Sequence, residues 1–455
     1  MRPLHVVILA AGQGSRMKSA LPKVLHKIAG LPMLHHVIGT ARRLGAENIH
    51  GVIGHGADLV RAETQGDDLQ WVLQEQQLGT GHAVAQTLPN LPDNARVLVL
   101  YGDVPLIRTD TLQQLVAGID DQTLGLLTVT LDNPDGYGRI LRDGAGEVTA
   151  IVEQKDATAE QKLICEVNTG ILAVSAARLK SWLPQLSNRN AQGEYYLTDI
   201  IAMAVGESMA VRVNQPENPY EVQGVNNRLQ LAELERWFQR QEADRLMTEG
   251  ATLADPGRVD VRGKLTIGND ILIDINVVFE GEVELADGVS IGPGCVIRDS
   301  RIAAGAVIHA HSIVDGAEVG VAAQVGPFAR LRPGTRLAAD TKVGNFVETK
   351  KAIVGEGSKI SHLSYVGDAS LGRNVNVGAG TITCNYDGVN KFQTVIGDGV
   401  FVGSNTALVA PVTVAEGATI GAGSTITRDI NARELAVARG RQRNLADWAR
   451  PEKKS

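Results

Sequence analysis

Residues 396–421 read IGDGVFVGSNTALVAPVTVAEGATIG, in which an aliphatic residue precedes glycine at Ile396, Val402 and Ile420. Both intervals are multiples of six residues. The same phase relates Ile267 to Ile291, Val319 to Val325 and Val343, and Leu371 to Val377. An inward aliphatic residue and a small corner residue every six positions predict a β-helix built from hexapeptides. Three hexads close one triangular coil, so residues 252 to 430 predict roughly 10 coils stacked over about 48 Å.

Two intervals break this period, between Val343 and Leu371 and between Val377 and Ile396. Surplus residues leave a solenoid as loops, and such loops usually form the binding face. Each break therefore predicts a loop beside a ligand site. The breaks also concentrate polar side chains that a prism does not require: Glu348, Lys350, His362, Tyr365, Asn385, Tyr386 and Lys391.

Short β-rich runs alternate with helical stretches in residues 1–226. The predicted strands are His5–Ala10, Asn48–Ile53, Arg96–Tyr101, Gly125–Leu131 and Thr169–Val174, and the predicted helices include Met33–Leu44 and Arg108–Ala117. This alternation predicts an α/β layer with a mostly parallel sheet that binds ligands at the carboxyl ends of its strands. We predict four parts: this domain at 1–226, an amphipathic connector helix at 227–249, the solenoid at 250–430 and a basic tail at 431–455.

The composition narrows the class of partner. The chain has 455 residues, a net charge of −7 and 4% aromatic residues, which argues against a nucleic-acid or anionic-membrane partner. Its three cysteines are far apart, so we expect free thiols in a reducing cytoplasm rather than disulfides or a zinc site. No apolar run is long enough to span a membrane. The chain from Arg428 onward carries eight Lys or Arg against four acids, typical of a solvated tail or of a segment that binds a phosphorylated ligand.

A glycine-rich turn follows the first predicted strand. Residues 9–17 read LAAGQGSRM, and Pro22-Lys23 follow shortly after. Such a turn exposes backbone N–H groups that can hold phosphate oxygens, and Arg16 and Lys23 add positive charge against a triphosphate. Position 17 is Met and Gly-Lys-Ser/Thr is absent, so neither a dinucleotide fingerprint nor a P-loop is supported.

This turn resembles that of the sugar-nucleotide pyrophosphorylases. Together with the connector helix and the solenoid, nearly the whole chain is similar to the bacterial bifunctional N-acetylglucosamine-1-phosphate uridylyltransferase / glucosamine-1-phosphate acetyltransferase family. The further motifs that carry the resemblance are QLGTGHA (77–83), YGDVPL (101–106), GYGRI (136–140), GVNNR (224–228) and TCNYDG (383–388). The resemblance implies a Rossmann-like nucleotidyltransferase domain with a mostly parallel sheet, joined by a long helix to a left-handed parallel β-helix. It also implies that UDP-N-acetylglucosamine is the final product.

Uridylyl transfer joins two anions, so it needs charge neutralisation more than proton chemistry. Mg²⁺ prefers hard oxygen ligands, and Asp103 at the end of a predicted strand suits it. The resemblance implies that Asp103 and Asn226 bind Mg²⁺, that Lys23 contacts phosphate and that Arg16 holds the departing pyrophosphate. The residues that it implies for the nucleotide and sugar are Leu9, Ala10, Ala11, Gly12, Lys23, Gln74, Gly79, Thr80, Tyr101, Gly102, Asp103, Gly138, Glu153, Asn168 and Asn226.

Acetyl transfer to an amine needs a base near neutrality, and His362 in a repeat break is the candidate. Glu348 is predicted to hold its imidazole in the correct tautomer. The resemblance implies a sugar-phosphate site of Arg332, Lys350, Tyr365, Asn376 and Lys391. It implies an acetyl-CoA site of Ala379, Asn385, Tyr386, Ser404, Ala422 and Arg439. His309 and His311 lack an apparent third ligand, so we interpret them as structural.

One wall of a prism provides only half a cleft. The resembling family forms trimers, which implies an acetyl site between chains and a flat-sided prism able to close with threefold symmetry. Two alternatives remain open: a single-activity sugar-1-phosphate nucleotidyltransferase with a regulatory solenoid, as in glucose-1-phosphate adenylyltransferases, or a non-catalytic scaffold. The Ala10-Ala11 pair and the clusters around His362 and Asn385 argue against the first. Asp103, Lys23, Asn226 and His362 argue against the second.

Overall fold

The computed structural model describes residues 2–451 and 453. The chain divides into two compact units, one that ends at Phe238 and one that begins at Gln239. This division falls inside the helix Arg228–Thr248. Each half of the helix contributes to the core of its own unit, since Leu234 is buried in the first unit and Leu246 in the second.

A nine-stranded mixed sheet organises the first unit. Seven strands follow one another from edge to edge in the order Ala210–Asn214, Thr123–Thr130, Glu166–Ser175, Arg96–Tyr101, Leu4–Ala10, Asn48–Ile53 and Leu69–Leu73. The last four are mutually parallel, whereas Glu166–Ser175 is antiparallel to both of its neighbours. The hairpin Arg139–Arg142 and Val148–Val152 pairs with Glu166–Ser175.

Helices cover both faces of this sheet. They span Met33–Arg43, Ala57–Glu63, Thr80–Ala85, Thr109–Val116, Ala176–Trp182 and Asp199–Gly206. Alternate residues of the central strand Leu4–Ala10 enter two separate cores, Val6 and Ile8 on one side and Val7 and Leu9 on the other. The strand can therefore be apolar throughout, as expected for a parallel strand buried on both faces. All five predicted strands and both predicted helices are confirmed within a few residues.

Two histidines lie side by side inside this sheet. Nδ1 of His5 is 2.9 Å from Nε2 of His50 on the neighbouring strand, and both side chains are buried. Burial, followed by repulsion from His5, lowers the pKa of His50 from 6.5 to about 4, and burial also lowers the pKa of His5. Both rings are thus kept neutral near pH 7.

We expect the first unit to lose stability as the pH falls from 6.5 towards 4. Over this range the unfolded chain binds more protons than the folded one, so the free energy of unfolding decreases. The shift at His50 corresponds to about 3 kcal/mol at the acidic end. Urea unfolding followed by tryptophan fluorescence measures this loss. The His50→Leu variant should show a shallower pH dependence, and the exposed-site control His55→Asn should not. An unchanged slope in His50→Leu would refute the assignment.

The second unit is a parallel β-helix whose strands stack on three faces. The first face is an 11-stranded sheet of Ala251–Leu253, Ile271–Ile273, Ser290–Ile291, Val307–Ile308, Gln324–Val325, Lys342–Asn345, Lys359–His362, Asn376–Val377, Phe401–Val402, Thr419–Ile420 and Leu435–Ala436. Its ten coil-to-coil steps agree with the predicted number of coils. The inward aliphatic residues, such as Ile308, Val325 and Val343, are fully buried in one continuous core.

The other two faces form one 15-stranded sheet because some strands run around a corner. Its strands are Val259–Ile267, Val277–Leu285, Val296–Arg298, Arg301–Ile302, Ile313–Asp315, Glu318–Val319, Arg330–Leu331, Arg336–Leu337, Glu348–Val354, Tyr365–Leu371, Ile382–Cys384, Thr394–Ile396, Ala407–Val409, Val412–Val414 and Thr425–Ile426. The longest of these, such as Val277–Leu285, pair with a different strand at each end.

Coil length corrects the interpretation of the first repeat break. Lys342 pairs with Lys359 and Lys359 with Asn376, so these coils contain 17 residues each. The break between Val343 and Leu371 therefore arises from shortened coils, and the prediction of a loop there is wrong. The second break is a true insertion, because Asn376 pairs with Phe401, 25 residues along the chain.

Candidate active sites

A cavity of about 240 Å³ opens beside the carboxyl ends of the parallel strands in the first unit. Ten of its lining residues are predicted nucleotide-site residues: Leu9, Ala10, Ala11, Gly12, Lys23, Gln74, Gly79, Thr80, Tyr101 and Asp103. The cavity forms there because the strands Leu4–Ala10 and Arg96–Tyr101 are parallel neighbours and end together. Gly102 is fixed at this edge by its N–H bond to the carbonyl of Leu9, at 2.9 Å.

The glycine-rich turn packs closely on one side and is open on the other. Gly14 has φ 61°, and a Cβ there would lie 2.6 Å from the Cβ of Lys23. Glycine at this position therefore lets Lys23 approach the turn. A Cβ on Gly12 would have no atom within 4 Å, so the backbone at Gly12 is accessible to an anion.

Two oxygen donors converge at the mouth of this cavity. The Lys23 ammonium donates to the Asp103 carboxylate and lies 3.4 Å from Oδ1 of Asn226. Arg16 also donates to Oδ1 of Asn226, at 2.9 Å. The segment that carries Asn226 is held in place by a bond from the N–H of Val225 to the carbonyl of Asp103, at 2.9 Å. A carboxylate and an amide oxygen that already share one cation are suitable ligands for a hard metal ion.

The residues predicted for the sugar lie together at one side of Tyr101. The N–H of Asn168 donates to the carbonyl of Gly138 at 2.8 Å. Glu153 accepts a bond from the Thr198 hydroxyl at 3.0 Å. Burial raises the pKa of the Glu153 carboxyl, and nearby acids add to the effect. Burial also raises the pKa of Tyr101, to which the charge of Glu153 contributes.

Gln74 and Gly79 form the far wall of the cavity. Nε2 of Gln74 donates to the carbonyl of Gly79 at 3.2 Å. Gly79 has φ 109°, and a Cβ there would lie 2.7 Å from the carbonyl oxygen of Tyr195, so a side chain does not fit. Thr80 accepts a bond from the N–H of Leu197 at 3.1 Å. Sequence reasoning missed Gln77 and Glu194, which also line the cavity but belong to no motif assigned to it there.

A column of residues runs up one corner of the second unit. Asn345 pairs directly with His362. Strand register places Ala379, Ser404 and Ala422 on the next three coils. Backbone bonds from Asn405 to Ala379 and from Gly423 to Ser404 hold this stack, at 2.7 and 2.8 Å. The guanidinium of Arg439 donates to the carbonyl of Ala422 at 2.8 Å. Above His362 the column presents only small side chains.

The partner of His362 differs from the prediction. Nδ1 of His362 lies 2.7 Å from Oδ1 of Asn345, whereas Glu348 accepts a bond from Arg332 at 2.8 Å. The prediction that Glu348 orients the imidazole is therefore wrong for this chain. The physical reason is the corner at Phe346, φ 57°, which places Glu348 on the next face, where it pairs with Tyr365.

Asp368 joins several polar residues on that neighbouring face. Its Oδ2 accepts from the side-chain amide of Asn385 and lies 4.0 Å from the Lys350 ammonium. The pKa of Lys391 is lowered because the Lys350 side chain, also cationic, is adjacent. Sequence reasoning missed Asp368 because it lies in a strand and carries no motif.

The inserted coil forms a short hairpin loop. Phe392 donates to the carbonyl of Asn385 at 2.9 Å, and Tyr386 pairs with Lys391. Tyr386 is 58% exposed. Asn376 begins its strand on the first face, three residues before Ala379. Among the residues that the structure describes, no hydrogen bond joins Asn376 or Tyr386 to His362.

Two searches of residues 2–451 and 453 bear on metals and membranes. No three His, Cys, Asp or Glu side chains of this part of the chain gather as a metal site. The pair Asp103 and Asn226 is outside that definition because one member is an amide. None of the helices described is both long enough and apolar enough to cross a membrane.

Comparison with known proteins matches both units. The MobA-like NTP transferase domain family matches residues 6–163, and six repeats of the bacterial transferase hexapeptide family match residues 393–428. The protein named Bifunctional protein GlmU from Marinobacter nauticus is 75% identical over 453 residues, which covers 100% of both chains. The chain belongs to the GlmU family. Proteins of the same name from Pseudomonas putida and Cellvibrio japonicus are 61% and 60% identical, and each alignment covers 99% of this chain and 99% or 100% of the relative.

Membership of the GlmU family confirms the predicted family, the two-part fold and the enzymatic character of the chain. The second unit is accordingly a left-handed β-helix of the hexapeptide transferase type. As a GlmU protein, the chain combines uridylyl transfer with acetyl transfer. Both alternatives, the single-activity enzyme and the non-catalytic scaffold, are thereby set aside.

Proposed function

We propose that the cavity at Asp103 carries out uridylyl transfer and that the column at His362 carries out acetyl transfer. The product of the second site, N-acetylglucosamine 1-phosphate, is the substrate of the first, which consumes UTP and releases pyrophosphate. The observation that carries the first assignment is the Lys23 ammonium shared by Asp103 and Asn226. It supports a site built to hold positive charge against phosphates.

In uridylyl transfer an oxygen of the sugar phosphate attacks the α-phosphorus of UTP, and the bond to pyrophosphate breaks. Lys23 and the N–H groups near Gly12 offset the charge of the triphosphate, and Arg16 holds the departing pyrophosphate. Gln74, Gly79 and Thr80, together with Leu9, Ala10 and Ala11, hold uracil and ribose. Gly138, Glu153 and Asn168, with Tyr101 and Gly102, orient the sugar.

Asp103 and Asn226 are the residues proposed to hold Mg²⁺. Their donor atoms are hard oxygens that share a position with the Lys23 ammonium, which supports the fit. When bound, Mg²⁺ supplies charge neutralisation at the phosphates. Lys23 is then free to exchange the carboxylate for a phosphate oxygen. Arg16 is likewise freed from the amide oxygen.

In acetyl transfer the amine nitrogen attacks the thioester carbonyl and the C–S bond breaks. His362 takes the proton from the amine, and coenzyme A leaves as the thiolate, which accepts a proton. Small side chains at Ala379, Ser404 and Ala422 let pantetheine lie along the column. Arg439 binds the phosphates of the coenzyme, with Asn385 and Tyr386 beside the thioester. The sugar phosphate is bound by Arg332, Lys350, Tyr365, Asn376 and Lys391.

The active oligomer is proposed to be a trimer. Apolar side chains are exposed along the corner next to His362: His311 stacks on Phe328, and Phe328 stacks on Phe346, with ring centroids 5.1 and 5.5 Å apart. Phe328, Phe346 and Leu363 are 49%, 56% and 61% exposed. A second copy of the chain would cover this ladder and complete the half-open site. The molar mass of the full chain in solution tests it. A cytoplasmic location stays a prediction.

Removal of Mg²⁺ should separate the two activities. We expect chelation by EDTA to abolish release of pyrophosphate from UTP while consumption of acetyl-CoA with glucosamine 1-phosphate continues at the same rate. The reason is that only the first site holds two oxygen donors around a shared cation. Restoring Mg²⁺ should restore the first activity. Loss of both activities would contradict the assignment of the metal to the uridylyl site alone.

A further inference from the structure

The side chain nearest to the ring of His362 belongs to the preceding coil. Asn345 and His362 are paired in register, and the Nδ1···Oδ1 distance of 2.7 Å is that of a good hydrogen bond. The backbone of His362 is also fixed, because the Ser364 hydroxyl donates to its carbonyl at 2.8 Å. His362 is itself exposed, so its ring can face a substrate.

We propose that Asn345 is a positioning residue for acetyl transfer, which holds His362 in the Nδ1–H tautomer and leaves Nε2 as the basic atom. The inference rests on the proposed role of His362. A neutral imidazole carries one N–H, and the nitrogen that donates it cannot act as the base. If Oδ1 of Asn345 accepts from Nδ1, the lone pair is therefore at Nε2.

An amide suits this task differently from a carboxylate. Its oxygen accepts the Nδ1–H bond but carries no formal charge, so it favours the imidazolium form less than a carboxylate would. The nearby carboxylate, Glu348, is already bound to Arg332 and lies beyond the corner at Phe346. The chain thus places an uncharged acceptor next to the base and engages the charged one elsewhere.

Substitution of Asn345 should change turnover more than binding. We expect Asn345→Ala to lower kcat of acetyl transfer about tenfold to a hundredfold, the usual effect of losing a residue that orients an active group, with KM of both substrates nearly unchanged. Asn345→Asp should restore most of the loss because it retains an oxygen acceptor. The control Lys342→Ala lies on the same strand with an exposed side chain and should retain full activity.

Nitrogen-15 spectra of histidine-labelled full-length enzyme without substrates provide a readout that is independent of activity. The His362 signals, identified by their absence in His362→Ala, should show Nδ1–H in the wild type and a mixture of tautomers in Asn345→Ala. A tautomer that does not change, or Asn345→Asp as inactive as Asn345→Ala, overturns the inference. Retention of acetyl transfer in His362→Ala would instead overturn the proposed function on which it rests.

Discussion

Asp103→Ala is expected to lower the rate of uridylyl transfer by roughly 10³-fold, or about 4 kcal/mol of transition-state stabilisation. The carboxylate is one of two oxygen donors around the shared cation, and it also fixes the Lys23 ammonium. Its removal takes away a proposed metal ligand and leaves Lys23 unrestrained. The rate of pyrophosphate release measures the effect.

Acetyl transfer should be unchanged in Asp103→Ala, since that site is built in the second unit. The fold should also persist: the Asp103 side chain is 15% exposed at the mouth of a cavity, and the bond from Val225 to residue 103 involves backbone atoms only. Asp110→Ala is the matched control, because Asp110 is an exposed acid in the same unit outside the cavity. Uridylyl transfer within tenfold of the wild type in Asp103→Ala would reject the assignment.

His362→Ala is expected to lower acetyl transfer by roughly 10²- to 10⁴-fold, the usual contribution of a general base. The amine must lose a proton as the new bond forms, and the small side chains above His362 in the column offer no titratable replacement. The ring is exposed and outside the solenoid core, so the variant should fold normally. Consumption of acetyl-CoA in the presence of glucosamine 1-phosphate measures the loss.

A histidine elsewhere on the prism serves as the control for this variant. His309 lies three coils before the level of His362 by strand register, so His309→Ala should retain acetyl transfer. Uridylyl transfer should be the same in both variants. If His362→Ala lost both activities while it remained folded, the two sites would not be independent.

The chemistry of the first site was visible in the sequence because it lies in short motifs. A strand that ends in LAAGQGSRM predicts a phosphate loop without any knowledge of distant contacts. What brings Lys23, Asp103 and Asn226 to one cation position is the pairing of parallel strands and the bond from Val225 to Asp103. Gln77 and Glu194 reach the same cavity, and no local pattern marked them.

The error at Glu348 has a physical cause. In the sequence, Glu348 and Asn345 are both upstream of His362, and a carboxylate is the more familiar partner of a catalytic imidazole. A corner at Phe346 separates them, so strand register places Asn345 beside the ring and Glu348 beside Tyr365. The direction of a side chain after such a corner depends on backbone dihedral angles that a single sequence does not reveal.

The sequence by itself determined the two-part architecture, the hexapeptide period, the phosphate loop and the identity of most candidate residues, because each depends on residue type at short spacing. Only the tertiary structure decided which residues become neighbours in the solenoid. Asn345, His362, Ala379, Ser404 and Ala422 form one column although the coils between them contain 17, 17, 25 and 18 residues. Backbone hydrogen bonding between coils sets this alignment and absorbs insertions and deletions, so a fixed six-residue count along the chain cannot recover it.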